Sequence, residues 1–205
     1  MFMLQMPNIF KGLLKDTIWR MNPADKKIYL TFDDGPNPKV TPQVLDILDK
    51  FDVKATFFCV GENVSNYPEL FNKIKNRGHQ VGNHTFNHLK GFGVSVKDYV
   101  ENIRKADKLI ESSLFRPPHG QITPAQVKAL KDDFKLIMWD FITYDYDYSI
   151  SSPQAVVEEV KKRTRNGSIV VFHDSLKAER NVLTALPEVL EYWQREGYEV
   201  CALAF

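Results

Sequence analysis

The feature of this 205-residue chain that most narrows its fold is a repeated alternation. Short apolar runs of about five residues, rich in β-branched and aromatic types, are each followed by a longer stretch of helical periodicity. Strands are expected at Ile28–Phe32, Ala55–Cys59, Gln80–Asn83, Leu114–Phe115, Lys135–Trp139, Ser168–Phe172 and Glu199–Leu203. Helices are expected between them at Pro42–Phe51, Tyr67–Arg77, Val96–Ser112, Pro124–Asp132, Pro153–Thr164 and Asn181–Glu196. A run such as Ile169-Val170-Val171-Phe172 has no polar face, so it has to be buried on both sides, in a parallel sheet covered by helices. A β-α repeat admits an open doubly wound sheet or a closed barrel. Seven units in a chain below the ~250 residues usual for eight point to a smaller or distorted α/β barrel.

Punctuation supports this division. Thr41-Pro42, Thr123-Pro124 and Ser152-Pro153 each put a capping hydroxyl before a proline suited to the first helical turn. Gly78, Gly167 and Gly197 follow turns containing lysine or arginine and lead into strands, as helix C-termini favour. Ahead of the first strand, Ile9, Phe10, Leu13, Leu14, Ile18 and Met21 recur at helical spacing. Residues 1–27 are therefore expected to form an N-terminal amphipathic segment packing on a single domain, residues 28–205.

Charge and composition remove several classes of function. With 27 basic and 26 acidic side chains the formal net charge is +1, so no global field gathers nucleic acid or an anionic membrane. No stretch approaches the ~18 apolar residues of a membrane span. The first ten residues lack the charged start of a secretory signal, and the expected location is cytoplasmic, with export or a cell-envelope location as the alternative. Cys59 and Cys201 each sit in an apolar run and form no metal-type pair, so both are expected to be small apolar residues rather than a disulfide.

Chemistry collects where strands end. Asp33 and Asp34 close the first strand, in Thr31-Phe32-Asp33-Asp34-Gly35; Asn83 and His84 close the third; Arg116 follows the fourth; Asp140 follows the fifth; His173-Asp174 follows the sixth. In α/β folds of this kind, sites lie at the C-terminal ends of strands. His84 and His88 are four apart, a spacing that aims two imidazoles at one ion in a helical turn or a tight loop. Asp34 adds a hard ligand, and two histidines with one carboxylate leave positions open for water and substrate. The same ligand set also suits a non-haem iron oxygenase, which gives no task to Asp33, Arg116 or His173. Asp174 reads as a strand-end cap and His79 as structural.

Five segments in order, Thr31 to Gly35, His84 to His88, Arg116-Pro117-Pro118-His119-Gly120, Trp139 to Tyr146, and Val171-Phe172-His173, resemble the motifs of the polysaccharide deacetylases, carbohydrate esterase family four with the NodB homology domain. The resemblance implies a distorted (β/α) barrel of seven or eight parallel strands. It implies a divalent metal, Zn²⁺ with Co²⁺ or another divalent ion as the alternative, on Asp34, His84 and His88. Asp33 would be the general base, His173 the general acid, Arg116 the partner of the base and Asp145 the residue tuning the acid. The backbone N–H of His119 would serve the oxyanion, and Tyr146 and Val171 would wall the acetyl pocket. The implied activity is removal of N-acetyl groups from amino-sugar glycans such as chitin or peptidoglycan; O-acetyl ester cleavage and a catalytically silent carbohydrate-binding protein are the alternatives. The chain departs from the family pattern at His119, where tyrosine is common, at Tyr146, where tryptophan is common, and at Val171, where leucine is common.

Overall fold

A computed structural model of the chain describes residues 14–205. Its nine strands form one sheet in which every strand pairing is parallel, in the order β1-β6-β5-β4-β3-β2-β8-β7, with β9 also on β2. The strands are β1 (Thr17–Ile18), β2 (Lys27–Asp33), β3 (Thr56–Cys59), β4 (Gln80–Asn83), β5 (Leu114–Phe115), β6 (Lys135–Ile137), β7 (Phe141–Ile142), β8 (Ser168–His173) and β9 (Glu199–Cys201). β9 pairs with the first half of β2, Lys27 to Tyr29, and β3 with its second half, Thr31 to Asp33. The architecture is thus the expected single-domain distorted barrel.

The two open edges of the sheet are linked by the chain itself. After β6 the backbone crosses to β8, where the Asp140 N–H donates to Ile169 at 2.9 Å and Thr143 to Val171 at 3.1 Å. The segment carrying β1 crosses the same seam: Met138 donates to the Ile18 carbonyl at 2.8 Å and Met21 to Gly167 at 2.9 Å. Trp19 packs on Trp139 with ring centroids 6.5 Å apart. Here the structure corrects the helical reading of this region, since Ile18 lies in a strand. Ile9, Phe10 and Leu13 lie outside the described residues.

Alternation along β2 and β8 sorts the core. Leu30, Phe32, Val170 and Phe172 face outward to the helices, in one cluster with Val44, Leu48, Val156, Val189 and Trp193. Tyr29, Ile169 and Val171 belong to a second cluster with Ile137, Trp139 and Leu203. Removing a side chain of this size from water is worth about 1.5–3 kcal/mol, so the two-sided burial of β2 and β8 accounts for their uninterrupted hydrophobicity. Helices occupy Thr41–Lys50, Pro68–Asn76, Val96–Ile110, Pro124–Leu130, Pro153–Arg163 and Glu179–Arg195, all within a few residues of expectation. A short helix at Gly61–Asn66 was not expected, its Gly, Asn and Ser being weak helix formers.

Two of the three expected caps form: Thr123 accepts from the Gln126 N–H in a capping box, and Ser152 accepts from Ala155. Thr41 does not cap. Its helix starts one residue early, after Val40, and the Thr41 hydroxyl instead donates to Asp174 Oδ2 at 2.6 Å. Cys59 and Cys201 are both free thiols, the first fully buried. Among the described residues no helix is long and apolar enough to cross a membrane.

Candidate active site

Parallel register brings the polar strand ends to one face. Asp33 on β2 pairs with His173 on β8 and with Phe58 on β3; Cys59 pairs with Asn83, and Asn83 with Phe115, the residue before Arg116. Neighbouring strands lie about 4.8 Å apart, so these side chains emerge as neighbours although they are far apart in sequence.

Asp33 and Asp34 diverge at the end of β2. Asp33 is buried, at 4% exposure, and accepts a hydrogen bond from Arg116 Nη1 at 2.7 Å. Arg116 has no exposed surface; it also donates to Thr31 Oγ1, to Met138 O at 3.0 Å and to Ile137 O at 3.3 Å, with its guanidinium 4.1 Å over the Phe58 ring. This saturation of donors makes a fully buried cation tolerable and fixes its position.

Asp34 takes a left-handed backbone, φ 80°, which turns its carboxylate away from Asp33 toward the histidines. Three contacts hold the turn. Asn63 Nδ2 donates to the Asp34 carbonyl at 2.8 Å, Val60 N–H donates to Gly35 at 2.9 Å, and Asp174 N–H donates to the Asp33 carbonyl at 3.2 Å. Gly35 is required at this point, because a Cβ there would lie 2.0 Å from Asp174 Oδ2. Asn63 has no signal in the sequence, since it sits in the unexpected short helix. Asp174, read as a strand-end cap, proves to be a buried support of this turn. Burial raises its carboxyl to about 7, partly offset by the Thr41 hydrogen bond.

The His84 to His88 segment forms a tight loop rather than a helical turn, with Thr85 and His88 both in the left-handed region. Asn83 Oδ1 accepts from Thr85 N–H, Asn102 Oδ1 from Phe86 N–H, and Thr85 Oγ1 from Leu89 N–H. His84 Nδ1 donates to the Arg116 carbonyl at 2.8 Å, which leaves Nε2 as an acceptor 3.6 Å from Asp34 Oδ1. Burial pushes His84 down to about 4 against the opposing charge of Asp33, so the ring is neutral at pH 7. His88 Nε2 lies 3.1 Å from the same oxygen.

The ligand atoms of Asp34, His84 and His88 lie within 4.8 Å of one another. Ligands each about 2.0–2.2 Å from one ion lie about 3–3.5 Å apart, so small movements suffice and the donor set fits a divalent cation. Burial works to raise the Asp34 carboxyl, but the His88 hydrogen bond and the nearby His173 and His84 hold it well below the ordinary range. A lasting negative charge beside two imidazoles is what such a cation requires.

On the other side of the site, His173 is tied to one carboxylate twice. Its backbone N–H donates to Asp145 Oδ2 at 2.8 Å and its Nδ1 to Asp145 Oδ1 at 2.7 Å. Asn181 Nδ2 secures the same residue through the Asp145 carbonyl at 2.9 Å. Burial pushes His173 down, but the charge and hydrogen bond of Asp145 outweigh it, with Asp34 adding support, and raise the imidazole to about 9. Tyr146 meets the His173 ring edge-on with centroids 4.6 Å apart. Val171, two residues below His173, has no exposed surface and lies in the apolar layer on which Tyr146 packs. Asp140 faces elsewhere, paired with Arg165 and accepting from Ser168 Oγ at 2.9 Å.

His119 completes the rim, exposed and left-handed at φ 57° and ψ 12°. Its N–H makes no backbone hydrogen bond among the described residues, and its ring lies 4.9 Å from that of His88.

The comparisons with known proteins agree with this geometry. A peptidoglycan-N-acetylglucosamine deacetylase of Bacillus cereus is 34% identical over 186 residues, spanning 88% of this chain and 87% of that protein. A chitooligosaccharide deacetylase of Sinorhizobium fredii is 33% identical, spanning 77% and 76%. The crystal structure of the Bc1960 peptidoglycan N-acetylglucosamine deacetylase superposes with a TM-score of 0.90 at 28% identity, covering 97% of this chain and 95% of that one. The family profile of polysaccharide deacetylases matches residues 20–133, and this chain belongs to that family.

Proposed function

We propose that this protein is a metal-dependent hydrolase that removes the acetyl group from N-acetylated amino sugars in a peptidoglycan- or chitin-type glycan. The observation that carries the reading is the joining, at one strand-end face, of three units: the Asp33–Arg116 pair, the His173–Asp145 pair and the Asp34, His84, His88 donor set. A carbohydrate-binding protein without activity has no use for a buried acid and a buried base on adjacent strands.

The divalent ion, Zn²⁺ in this reading, would be held by Asp34, His84 and His88 and would supply polarisation of the acetyl carbonyl and acidification of a water. Asp33, oriented by Arg116, accepts the proton of the attacking water while the new C–O bond forms. The His119 N–H, which makes no backbone hydrogen bond among the described residues, offers a donor to the developing oxyanion, and one such donor is worth about 10²–10³ in rate. His173, held protonated by Asp145, gives its proton to the amide nitrogen as the C–N bond breaks, so the products are acetate and a free amine. Tyr146 presents an apolar wall beside His173 suited to the acetyl methyl.

The test is acetate release from chitooligosaccharides, from peptidoglycan fragments and from an O-acetylated xylan, with metal-stripped protein reloaded with Zn²⁺ or Co²⁺. Amine-forming acetate release that is abolished by chelation and restored by reloading is expected. Release from the O-acetylated glycan alone would replace this reading with ester hydrolysis, and sugar binding with no release from any of them would leave a silent member of the fold.

A further inference from the structure

The two histidines of the donor set are supported very differently. His84 is 2% exposed and its second ring nitrogen is anchored on the Arg116 carbonyl. His88 is 33% exposed, and among the described residues its only hydrogen-bonding or ion-pair partner is Asp34 itself. Metal-bound histidines almost always donate their other N–H to a fixed acceptor, and that bond sets the ring orientation. His88 has none. Its ring stands instead between two other imidazoles, with centroids 5.1 Å to His84 at 53° and 4.9 Å to His119 at 66°, the latter an edge-to-face contact.

The loop that carries the outer ring, His119, is tied down through its backbone. Turn hydrogen bonds run from Gly120 N–H to Pro117 and from Gln121 N–H to Pro118, each 3.0 Å, across a loop that begins with two prolines. Gly91 N–H donates to the Gln121 carbonyl at 3.0 Å, tying the loop of His119 to the loop of His88. The approach is so close that a Cβ on Gly91 would lie 2.3 Å from that carbonyl oxygen. Gln126 Nε2 locks the same junction by donating to the Gly91 carbonyl at 2.8 Å. His119 is not one of the donor set, which consists of Asp34, His84 and His88.

Building on the metal-site reading above, we propose that the side chain of His119 is a positioning group of the metal centre, bracing the otherwise unanchored ring of His88 by edge-to-face contact. Its backbone N–H and its ring then have separate tasks, one toward substrate and one toward the metal ligand. The contact requires an aromatic ring at this position and not a nitrogen lone pair, so a phenyl ring should do the same work.

The experiment uses metal-stripped full-length protein, with Co²⁺ titrated against a competing chelator and the visible Co²⁺ spectrum recorded for the parent, His119→Ala and His119→Phe. His119→Ala is expected to lower Co²⁺ affinity by about 10–100-fold, the usual consequence of losing an outer support of a ligand, and to change the spectrum. His119→Phe is expected to restore both. Parent affinity and spectrum in His119→Ala would overturn the proposal. So would a His119→Phe as weak as the alanine variant, because the nitrogen would then be what matters. Because His119 is exposed, the metal-free melting temperature should not move, and a fall there tracking the affinity loss would assign the effect to folding instead. Acetate release is scored separately: Co²⁺ binding without deacetylation would remove the catalytic reading and leave this one standing, whereas a parent that binds no Co²⁺ would remove this one.

Discussion

Replacing Asp145 by asparagine removes one negative charge beside His173 and keeps the size of the side chain. Both carboxylate oxygens accept hydrogen bonds from the same histidine, one from its N–H and one from Nδ1. An asparagine has one acceptor, so it can keep one of these bonds while its amide N–H₂ opposes the other. Asp145 is the largest of the influences that raise His173 to about 9 against the opposing effect of burial. Relative to the ordinary 6.5, that corresponds to about 3 kcal/mol in favour of the imidazolium. Without Asp145, burial dominates and the imidazole falls to its ordinary value or lower. At pH 8 the protonated fraction then drops from about 90% to about 3% or less, a loss of ~30-fold in competent acid. The sign follows: in the parent, activity that needs protonated His173 persists at neutral pH and is lost as pH rises through the range near 9; in Asp145→Asn that alkaline limb moves to about 6.5 or below. A divalent cation on Asp34 replaces the support of that carboxylate with a net positive charge, so it lowers both limbs, and the quantity compared is the displacement between parent and variant. The assay is kcat/KM for acetate release between pH 5 and 10. An unmoved alkaline limb in Asp145→Asn would refute the assignment of His173 as the acid tuned by Asp145.

Asp33→Asn should retain Co²⁺ at parent affinity, because Asp33 lies outside the donor set, yet lose activity by about 10²–10⁴; near-parent turnover would remove it as the base. His84→Ala should abolish stoichiometric metal binding as read by metal analysis after gel filtration, since it deletes the buried, pre-oriented ligand. Gly35→Ala should destabilise the protein by roughly 1–3 kcal/mol in denaturant titration, because the new methyl has to displace the buried Asp174 carboxylate. The Asp174 carboxyl is raised to about 7 in the fold, so its contribution is fully present below about pH 4 and is lost as pH rises through 7. Asp174→Asn should therefore gain stability over the parent at pH 8 relative to pH 5 in metal-free protein; an equal difference at both pH values would show that the carboxyl ionises without cost.

Much of the site could be read in the sequence because each functional group follows directly on an apolar run. Strand ends are marked by where hydrophobicity stops, and parallel β-α folds gather such ends on one face. Asp33, Asp34, His84, Arg116 and His173 all stand at that boundary. The elements missed are those with too little pattern to detect. β1 and β7 are two residues each and exist because they cross the seam of the barrel, a condition no local periodicity expresses. Thr41 was expected to cap a helix, the local preference of its residue type, but its hydroxyl is drawn to a carboxylate 133 residues away. Asn63 and Asp174 hold the Asp34 turn from opposite sides, and neither role follows from neighbours in the chain.

The sequence alone determined the parallel α/β architecture, through two-sided apolar strands, and the set of carboxylates, imidazoles and one guanidinium at the strand ends from which the proposed base, acid and metal ligands are drawn. The tertiary structure alone decided how two adjacent carboxylates meet different partners. The left-handed turn at Asp34, clamped by Asn63, Val60 and Asp174, points one toward the histidines, while the buried Arg116 holds the other. Repulsion between Asp33 and Asp34 is relieved by long-range partners, and only the folded chain brings those partners within hydrogen-bonding distance.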